Sequence, residues 1–352
     1  MRKSTFGCAI LLSCLIFAQC GVGTARAGNP GEVELTREGK ASIQMALQYL
    51  ASRQRADGSF SEGMGQSTGI VASGVLAWMV NGNLPGEGPY GKNVAKGLDY
   101  ILNCAQPSGL LYKGKDSQQV MYHHGLATIC LGEAWGQTRD KRIHDKLKNA
   151  IELIVRTQND KGGWRYMPKV GDDDLSVTVM QLLALRAAKD AGIAVPSETI
   201  KRAIAYVDSC RSEKDNDGLS GFAYQPHSGK QWSTTAAGVM SLMLCGNYKA
   251  KDLKDGLDYL MKARERKEDT KWFVYGHYYG AQAMYQAGQD EKFQKYWTKW
   301  YPDISQAIIK SQKTSGNDRG DYTLDKNYGV WNTGMCVLIL GIPYRYLPIY
   351  QR

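Results

Sequence analysis

The sequence lacks the features that mark several common classes of protein. Beyond the N-terminal segment, no apolar run approaches the roughly 18 residues that a membrane helix needs. There is no Cys-x-x-Cys pair, no glycine-rich phosphate loop, no EF-hand loop and no Ser-His-Asp arrangement. Strand-like alternation is also nearly absent. These absences argue against a polytopic membrane protein, a disulfide scaffold and a nucleotide-binding fold, and they leave a helical globular chain.

Charge and cysteine content narrow the class further. The 352 residues carry a formal net charge of +10, but the basic residues do not gather into the stripe that is typical of nucleic-acid binders. We therefore expect no nucleic-acid partner. Three of the eight cysteines lie in the N-terminal segment, and an odd number remains, which gives no disulfide framework. The five that remain are Cys104, Cys130, Cys210, Cys245 and Cys336.

The N-terminal segment has the pattern of a secretory signal peptide. A basic start at Arg2 and Lys3 precedes an apolar stretch over Phe6–Val22, and Ala25-Arg26-Ala27 is a small-x-small cleavage signal. Cleavage after Ala27 predicts a mature chain of residues 28–352, secreted or periplasmic, with a charge of +7. Such a chain is not an integral membrane protein.

The mature sequence repeats about every 52 residues. Six copies read apolar, two variable, Ala or Gly, apolar, two variable, apolar, which is one stripe on a helix. Only the last copy ends in a polar residue, Ser311. The copies start at Ile43, Val94, Leu147, Ile200, Leu253 and Ile304.

A second apolar segment follows each stripe and carries few charges on any face, as expected of a buried helix. Each repeat is therefore predicted to be an amphipathic outer helix followed by a buried inner helix. Because the terminal copies resemble the others and do not look like capping repeats, a closed ring is favoured over an open solenoid. The fold class expected is all-α: an (α/α)6 toroid of six helical hairpins in a single domain. The inner segments are Thr68–Trp78, Tyr122–Trp135, Ser176–Arg186, Ser233–Cys245, Tyr275–Tyr285 and Val330–Leu340.

The turns after the stripes carry their own signatures. Gln54 and Gln158 each begin a Gln-x3-Gly-x-aromatic run, in which glycine suits a positive-φ turn and the glutamine amide can satisfy free backbone groups. A second motif, Gly-aromatic-x-Tyr-x-Pro, occurs at Gly163–Pro168 and Gly221–Pro226.

Together the turn motifs and their spacing resemble the repeat of squalene cyclases and protein prenyltransferase β subunits. The similarity covers about residues 40–345 and is strongest to secreted bacterial prenyltransferase/squalene oxidase repeat proteins. The resemblance implies an α/α toroid, but it specifies the fold far better than the reaction.

One acidic run resembles the catalytic motif of the terpene cyclases in this superfamily. Those enzymes protonate an alkene with the middle acid of Asp-x-Asp-Asp-Thr-Ala at the start of an inner helix. Asp172 and Asp174 match the first and third positions, and this makes Asp174 the expected proton donor. The fourth position departs from the pattern, because it is Leu175. Helix N-capping by Asp174 or Ser176, with the other acids favouring the positive end of the helix, is the simpler interpretation of the same run.

Aromatic and histidine residues near the inner helices are candidate substrate contacts. In a toroid, such residues can line a central space, stack on sugar rings or stabilise an isoprenoid cation. Filling of the ring by satisfied core residues is the alternative. The candidates are Tyr122, His123, His124, His277, Tyr278 and Trp331.

No cofactor or metal is expected. Asp208-Ser209-Cys210 has the local spelling of a prenyltransferase zinc pair, but it falls at the end of an outer helix and not at the start of an inner one. Three functions remain open: a cyclase-like enzyme acting on an isoprenoid, a lyase-like enzyme acting on an acidic glycan, and a non-catalytic module that binds glycan, lipid or protein. The sequence leaves the oligomeric state open.

Overall fold

The computed structural model describes residues 33–61, 66–113, 118–246, 250–265, 268–270, 272–322, 324, 328–344 and 347. All of them belong to one compact unit, Gly31–Arg352. The proposed leader at residues 1–27 lies outside the described residues and stays a prediction.

Twelve α-helices make up the described part of this unit, where β-structure is confined to isolated bridges. Odd-numbered helices are the outer helices and even-numbered helices the inner ones. They are α1 Arg37–Arg53, α2 Thr68–Met79, α3 Gly91–Asn103, α4 Val120–Thr138, α5 Lys141–Thr157, α6 Leu175–Asp190, α7 Ser197–Ser209, α8 Trp232–Leu244, α9 Ala250–Glu265, α10 Phe273–Gly288, α11 Gln294–Lys310 and α12 Gly329–Gly341.

The inner helices form a closed ring. Each of α2, α4, α6, α8 and α10 contacts the next inner helix, and α12 returns to α2. The prediction of an (α/α)6 toroid is therefore confirmed, and the inner segments expected from composition each fall on one inner helix.

Burial follows the sequence pattern of each helix. Every residue of α2 is buried, as an all-apolar helix requires. In α5, Asp140 caps the N-terminus by accepting a hydrogen bond from the Arg142 N–H at 3.0 Å, and the repeat stripe from Leu147 to Ile154 is buried. The sixth stripe ends in a polar residue because α11 stops at Lys310 and Ser311 is its C-cap.

Of the two outer helices beside it, each inner helix packs more closely on the one that follows it in the chain, and α12 packs in the same way on α1. The N-terminal helix thus takes the place of a seventh outer helix. Within the described residues, ordinary repeat helices close the ring, which explains why the terminal repeats look like the others.

The Gln-x3-Gly turns connect neighbouring repeats. The amide of Gln158 donates to its own turn at the Gly162 carbonyl (2.9 Å) and to Thr199 of the next outer helix (3.0 Å). Gly162 has φ +93°, and a Cβ there would lie 2.2 Å from the Arg202 carbonyl oxygen. Glycine is required at this turn both by its conformation and by the close approach of α7.

The same turn closes the ring. The amide of Gln312 donates to the Gly320 carbonyl at 3.0 Å and to the Ser42 carbonyl of α1 at 2.9 Å. The Ser42 hydroxyl donates back to Gln312 Oε1 at 2.7 Å and lies 2.8 Å from the Tyr322 hydroxyl. Residues 270 positions apart in the chain therefore make the contact that neighbouring repeats make elsewhere.

Candidate functional site

Asp174 is the last residue of the junction that connects outer helix α5 to inner helix α6. It is the N-cap of α6, with an extended backbone, and its side chain is fully buried. Oδ1 accepts hydrogen bonds from the Val177 N–H at 2.9 Å and the Ser176 hydroxyl at 2.6 Å. Oδ2 has no regular hydrogen-bond partner in the described part of the chain, and Arg165 Nε lies 4.0 Å away.

This environment favours the protonated acid. Burial raises the pKa of Asp174, although the bonds from Ser176 and Val177, the Tyr224 hydroxyl and the charge of Arg165 oppose the rise. A buried, unpaired carboxylate oxygen is costly, and a proton on Oδ2 lowers that cost because it removes the charge. The geometry and the pKa direction therefore both favour the protonated form more than they would for an exposed aspartate.

Tyrosine hydroxyls from two inner helices and two junctions gather around this carboxyl group. Tyr122 of α4 makes a short hydrogen bond to the Ser176 hydroxyl, and Tyr275 of α10 donates to the Ser176 carbonyl at 3.5 Å. Tyr166 and Tyr224, from the junctions before α6 and α8, share a short hydrogen bond between their hydroxyls. The rings of Tyr122 and Tyr166 are 6.0 Å apart.

We call Asp174, Ser176, Tyr122, Tyr166, Tyr224 and Tyr275 the acid cluster. Sequence reasoning found Asp174 and Tyr122 but did not select the other members. The signal for Tyr166 and Tyr224 was present, because both are the tyrosine of the Gly-aromatic-x-Tyr-x-Pro motif.

The two acids before Asp174 have different surroundings. Asp173 is buried and accepts from the Asn159 amide at 2.7 Å, with Lys161 Nζ 3.7 Å away, so it holds the junction together. Asp172 is exposed at the surface of that junction. The structure therefore separates the two predicted catalytic acids and brings only Asp174 into the acid cluster.

His123 and His124 of α4 point to different partners. His123 is buried, and its Nδ1 lies 2.6 Å from the hydroxyl of Ser67, the residue before α2. Its ring is 5.7 Å from that of Tyr112. His123 thus bridges two neighbouring inner helices near their first turns.

His124 occupies a repeat position that threonine fills elsewhere. Its Nδ1 accepts the Leu111 N–H at 3.1 Å, just as the hydroxyls of Thr178, Thr235 and Thr333 accept the backbone N–H of the corresponding junction residue. Burial lowers the pKa of His124 to about 4. The structure places this predicted contact residue in the packed layer between helices, where its bonding is structural.

His277 is likewise enclosed in the core. Its Nδ1 donates to the Phe273 carbonyl at 2.8 Å, and its Nε2 lies 3.1 Å from Asp269, which also pairs with Arg264 at 2.6 Å. Its ring stacks on Phe273 and on Trp232, at centroid distances of 3.9 and 4.4 Å. Burial lowers the pKa of His277, against the opposing effect of Asp269.

The remaining candidates differ in exposure. Tyr278 is buried beside Tyr279, with centroids 5.2 Å apart. Trp331, in the first turn of α12, is only partly buried. Of the six predicted contact residues, the structure brings only Tyr122 into the acid cluster.

Metal-ligand groups do not assemble within the described ranges, where no set of three or more His, Cys, Asp or Glu could hold an ion. Asp208 instead pairs with Arg211 at 2.7 Å, and Cys210 is buried. Across the described helices, none is both long and apolar enough to span a bilayer.

Two comparisons place this geometry among known proteins. Residues 122–283, which contain the acid cluster, match the family model of the squalene-hopene cyclase C-terminal domain. The type II terpene cyclase MstE from Scytonema, in complex with its product merosterolic acid A, has a similar structure, with a TM-score of 0.55 and 11% identity over 88% of this chain and 98% of that one.

Residues 122–283 are thus similar to the squalene-hopene cyclase C-terminal domain, and the whole chain shares the toroid fold of the terpene cyclases.

Glycan-active enzymes share the toroid architecture. An inactive variant of the α-1,6-mannanase GH76A of Salegentibacter sp. HEL1_6, in complex with α-1,6-mannotetrose, has a TM-score of 0.57 and 9% identity over 88% of this toroid and 100% of that chain. An unsaturated glucuronyl hydrolase from Streptococcus agalactiae has a TM-score of 0.57 and 11% identity over 90% and 95%. No curated protein sequence matches this toroid. At these identities the likeness to solved structures concerns the fold alone, so the function must be argued from the site.

Proposed function

We propose that the toroid is an exported acid catalyst, in which Asp174 donates a proton to a carbon–carbon double bond of an isoprenoid-like substrate. One observation carries this proposal: a fully buried carboxyl group has one oxygen saturated by hydrogen bonds and the other without a regular partner. Burial biases such a group toward its protonated form, and Oδ2 is the oxygen that is open to the proton.

The hydrogen bonds decide which oxygen is acidic. Val177 N–H and the Ser176 hydroxyl both donate to Oδ1, so a proton on Oδ1 would disrupt them. The proton therefore belongs on Oδ2. When the proton leaves, those two donors and the N-terminus of α6 stabilise the carboxylate that forms.

The surroundings favour a cationic intermediate over a sugar. Protonation of an alkene needs one acid and then electron-rich faces near the positive carbon. The rings of Tyr122, Tyr166 and Tyr275 supply such faces beside Asp174. Because Asp174 is fully buried, a substrate must displace one or more of these tyrosine side chains to reach it.

The test compares two neighbouring acids. Purified toroid without its leader would be incubated with polyprenyl substrates and analysed for cyclised products. We expect Asp174→Asn to lower turnover by at least about a thousandfold, since the amide cannot replace a general acid. Asp172→Asn is the matched control, because Asp172 is exposed, and it should leave turnover unchanged. Equal products from the Asp174→Asn variant and the wild type would remove Asp174 from the reaction.

A second candidate function is cleavage of an acidic glycan. It is supported by the toroids of this architecture that act on or bind glycans, and by the excess of basic residues. Release of reducing ends or unsaturated uronate ends from a panel of uronate polymers, lost in Asp174→Asn, would favour this function over the first.

A further inference from the structure

A serine and a histidine from two neighbouring inner helices meet outside the acid cluster. The Oγ atom of Ser67, the N-cap residue of α2, lies 2.6 Å from Nδ1 of His123 in the first turn of α4. Ser67 and His123 are 3% and 7% exposed, and Gln66, directly before the serine, lies at the surface. Because 56 positions separate the two residues, no local motif announces the pair.

The hydroxyl of Ser67 is used differently from the other side-chain oxygens at helix N-caps. Thr36, Asp140 and Asp174 each accept a hydrogen bond from a backbone N–H of their own helix, at 3.1, 3.0 and 2.9 Å. Ser67 makes no such capping bond to α2 among the described residues. A capping bond from serine stabilises a helix, so the hydroxyl forgoes a favourable local partner and contacts the imidazole of His123.

A glycine lets the histidine approach the start of α2. A Cβ atom on Gly69 would lie 2.5 Å from Nδ1 of His123 and 2.9 Å from its Cα, so any larger residue would push the imidazole away. The ring of Tyr112 lies on the imidazole as well, with centroids 5.7 Å apart. His123 is therefore packed against the first turn of α2, where an α-helix has backbone N–H groups without acceptors of its own.

These parts are the ones that a serine nucleophile needs. They are a hydroxyl, a base within hydrogen-bond reach of it, and backbone N–H groups beside it that can stabilise an oxyanion. The N–H groups here belong to Thr68 and Gly69, which follow Ser67 directly and carry the positive end of the dipole of α2.

We infer that Ser67 and His123 form a second catalytic site, which hydrolyses esters of short acyl groups. Ser67 Oγ attacks the ester carbonyl carbon, and its proton passes to Nδ1 of His123. The bond from that carbon to the alcohol oxygen then breaks, and the alcohol leaves with the proton from His123. Water, deprotonated by His123 in the same way, displaces the acid from Ser67, and the proton returns to Oγ. The small exposed fraction of Ser67 limits the acyl group to a short one.

A serine-reactive fluorophosphonate probe tests this site on the purified toroid, with the modified residue located by peptide mass spectrometry. We expect an adduct on Ser67. His123→Asn keeps a polar side chain beside the serine but supplies no base, and it should slow labelling by at least about a hundredfold. Ser73→Ala is the matched control, because it removes another buried hydroxyl of α2, bonded to the Ile70 carbonyl at 2.7 Å, and labelling should not change.

Hydrolysis of p-nitrophenyl acetate gives a second readout. Ser67→Ala loses no capping bond and should fold, and we expect it to lower the hydrolysis rate by at least about a hundredfold, whereas Ser73→Ala keeps the wild-type rate. Folded wild-type toroid without an adduct on Ser67, or with hydrolysis no faster than in Ser67→Ala, would overturn the nucleophile. Equal labelling of Ser67 in the wild type and in His123→Asn would show that the histidine is a packing partner and would overturn the site.

Discussion

Two junctions of the ring each bury an aspartate among aromatic side chains, yet they satisfy it differently. Before α10, Asp269 pairs with Arg264 and lies 3.1 Å from His277, whose ring is stacked between aromatic neighbours. Before α6, Asp174 likewise has one bonded oxygen, but its donors are the uncharged Val177 N–H and Ser176 hydroxyl, and Arg165 Nε stays 4.0 Å away. Burial alone does not distinguish a structural carboxylate from a reactive one. The difference lies in whether the buried charge is compensated.

The largest expected difference between the two sites is the stability that is lost when each aspartate is removed. Asp269→Ala leaves Arg264 and His277 without their carboxylate, and we expect it to lower the free energy of unfolding by about 3 kcal/mol. Asp174→Ala loses an N-cap but also removes an uncompensated buried acid, so a loss of about 1 kcal/mol or less is expected. Urea unfolding at neutral pH measures both. The reverse order would mean that Asp174 is the structural acid.

His124 and Asp174 should make the free energy of unfolding depend on pH in opposite directions. His124 has a pKa of about 4 when folded against 6.5 for the free side chain, so the unfolded chain binds the proton first. Its contribution is present above pH 6.5 and is lost as the pH falls toward 4, by roughly 3 kcal/mol in total. The raised pKa of Asp174 acts oppositely: its contribution is present below 3.8 and is lost as the pH rises.

Urea unfolding over this pH range measures how the free energy of unfolding changes with pH. One variant of His124 and one of Asp174 separate the two contributions. His124→Asn keeps an acceptor for the Leu111 N–H and should flatten the acid-side loss. Asp174→Asn should gain stability relative to the wild type as the pH rises. Parallel profiles for the two variants and the wild type would refute both assignments.

The smallest expected effect concerns the hydrogen bond that Asp174 Oδ1 accepts from Ser176. Ser176→Ala removes one donor to Asp174 and the partner of the Tyr122 hydroxyl, so we expect about 1 kcal/mol of lost stability. It should also raise the pKa of Asp174 further, because a bond to the charged form is lost. Ser241→Ala, which removes a buried hydroxyl bonded to the Ala237 carbonyl at 2.9 Å, controls for the loss of a buried serine. An Asp174 titration that is the same in both variants would contradict this role of Ser176.

Much of the fold could be predicted because its determinants are local and repeated. The six stripes and six apolar segments fall on the twelve helices, and even the polar end of the sixth stripe is explained by the C-cap at Ser311. The capping position of Asp174 was predictable for the same reason, since an acid before an apolar helix suits its N-terminus.

The candidate site could be predicted only in part. The sequence placed Asp172 and Asp174 in one motif, but two residues of extended or turning chain were enough to leave one exposed and the other buried. His124 and His277 looked like cavity residues, and the structure encloses both between helices. Tyr166 and Tyr224 are 58 positions apart, and nothing local indicates that their hydroxyls meet.

The sequence by itself determined that this chain would form six pairs of helices with buried inner members, because helix periodicity and turn chemistry act over a few residues. Tertiary structure alone decided that α12 would pack on α1, which acid would lose its solvent, and which hydroxyls would surround it. Those outcomes depend on contacts between repeats, where a rotation of one helix about its axis exchanges a buried side chain for an exposed one.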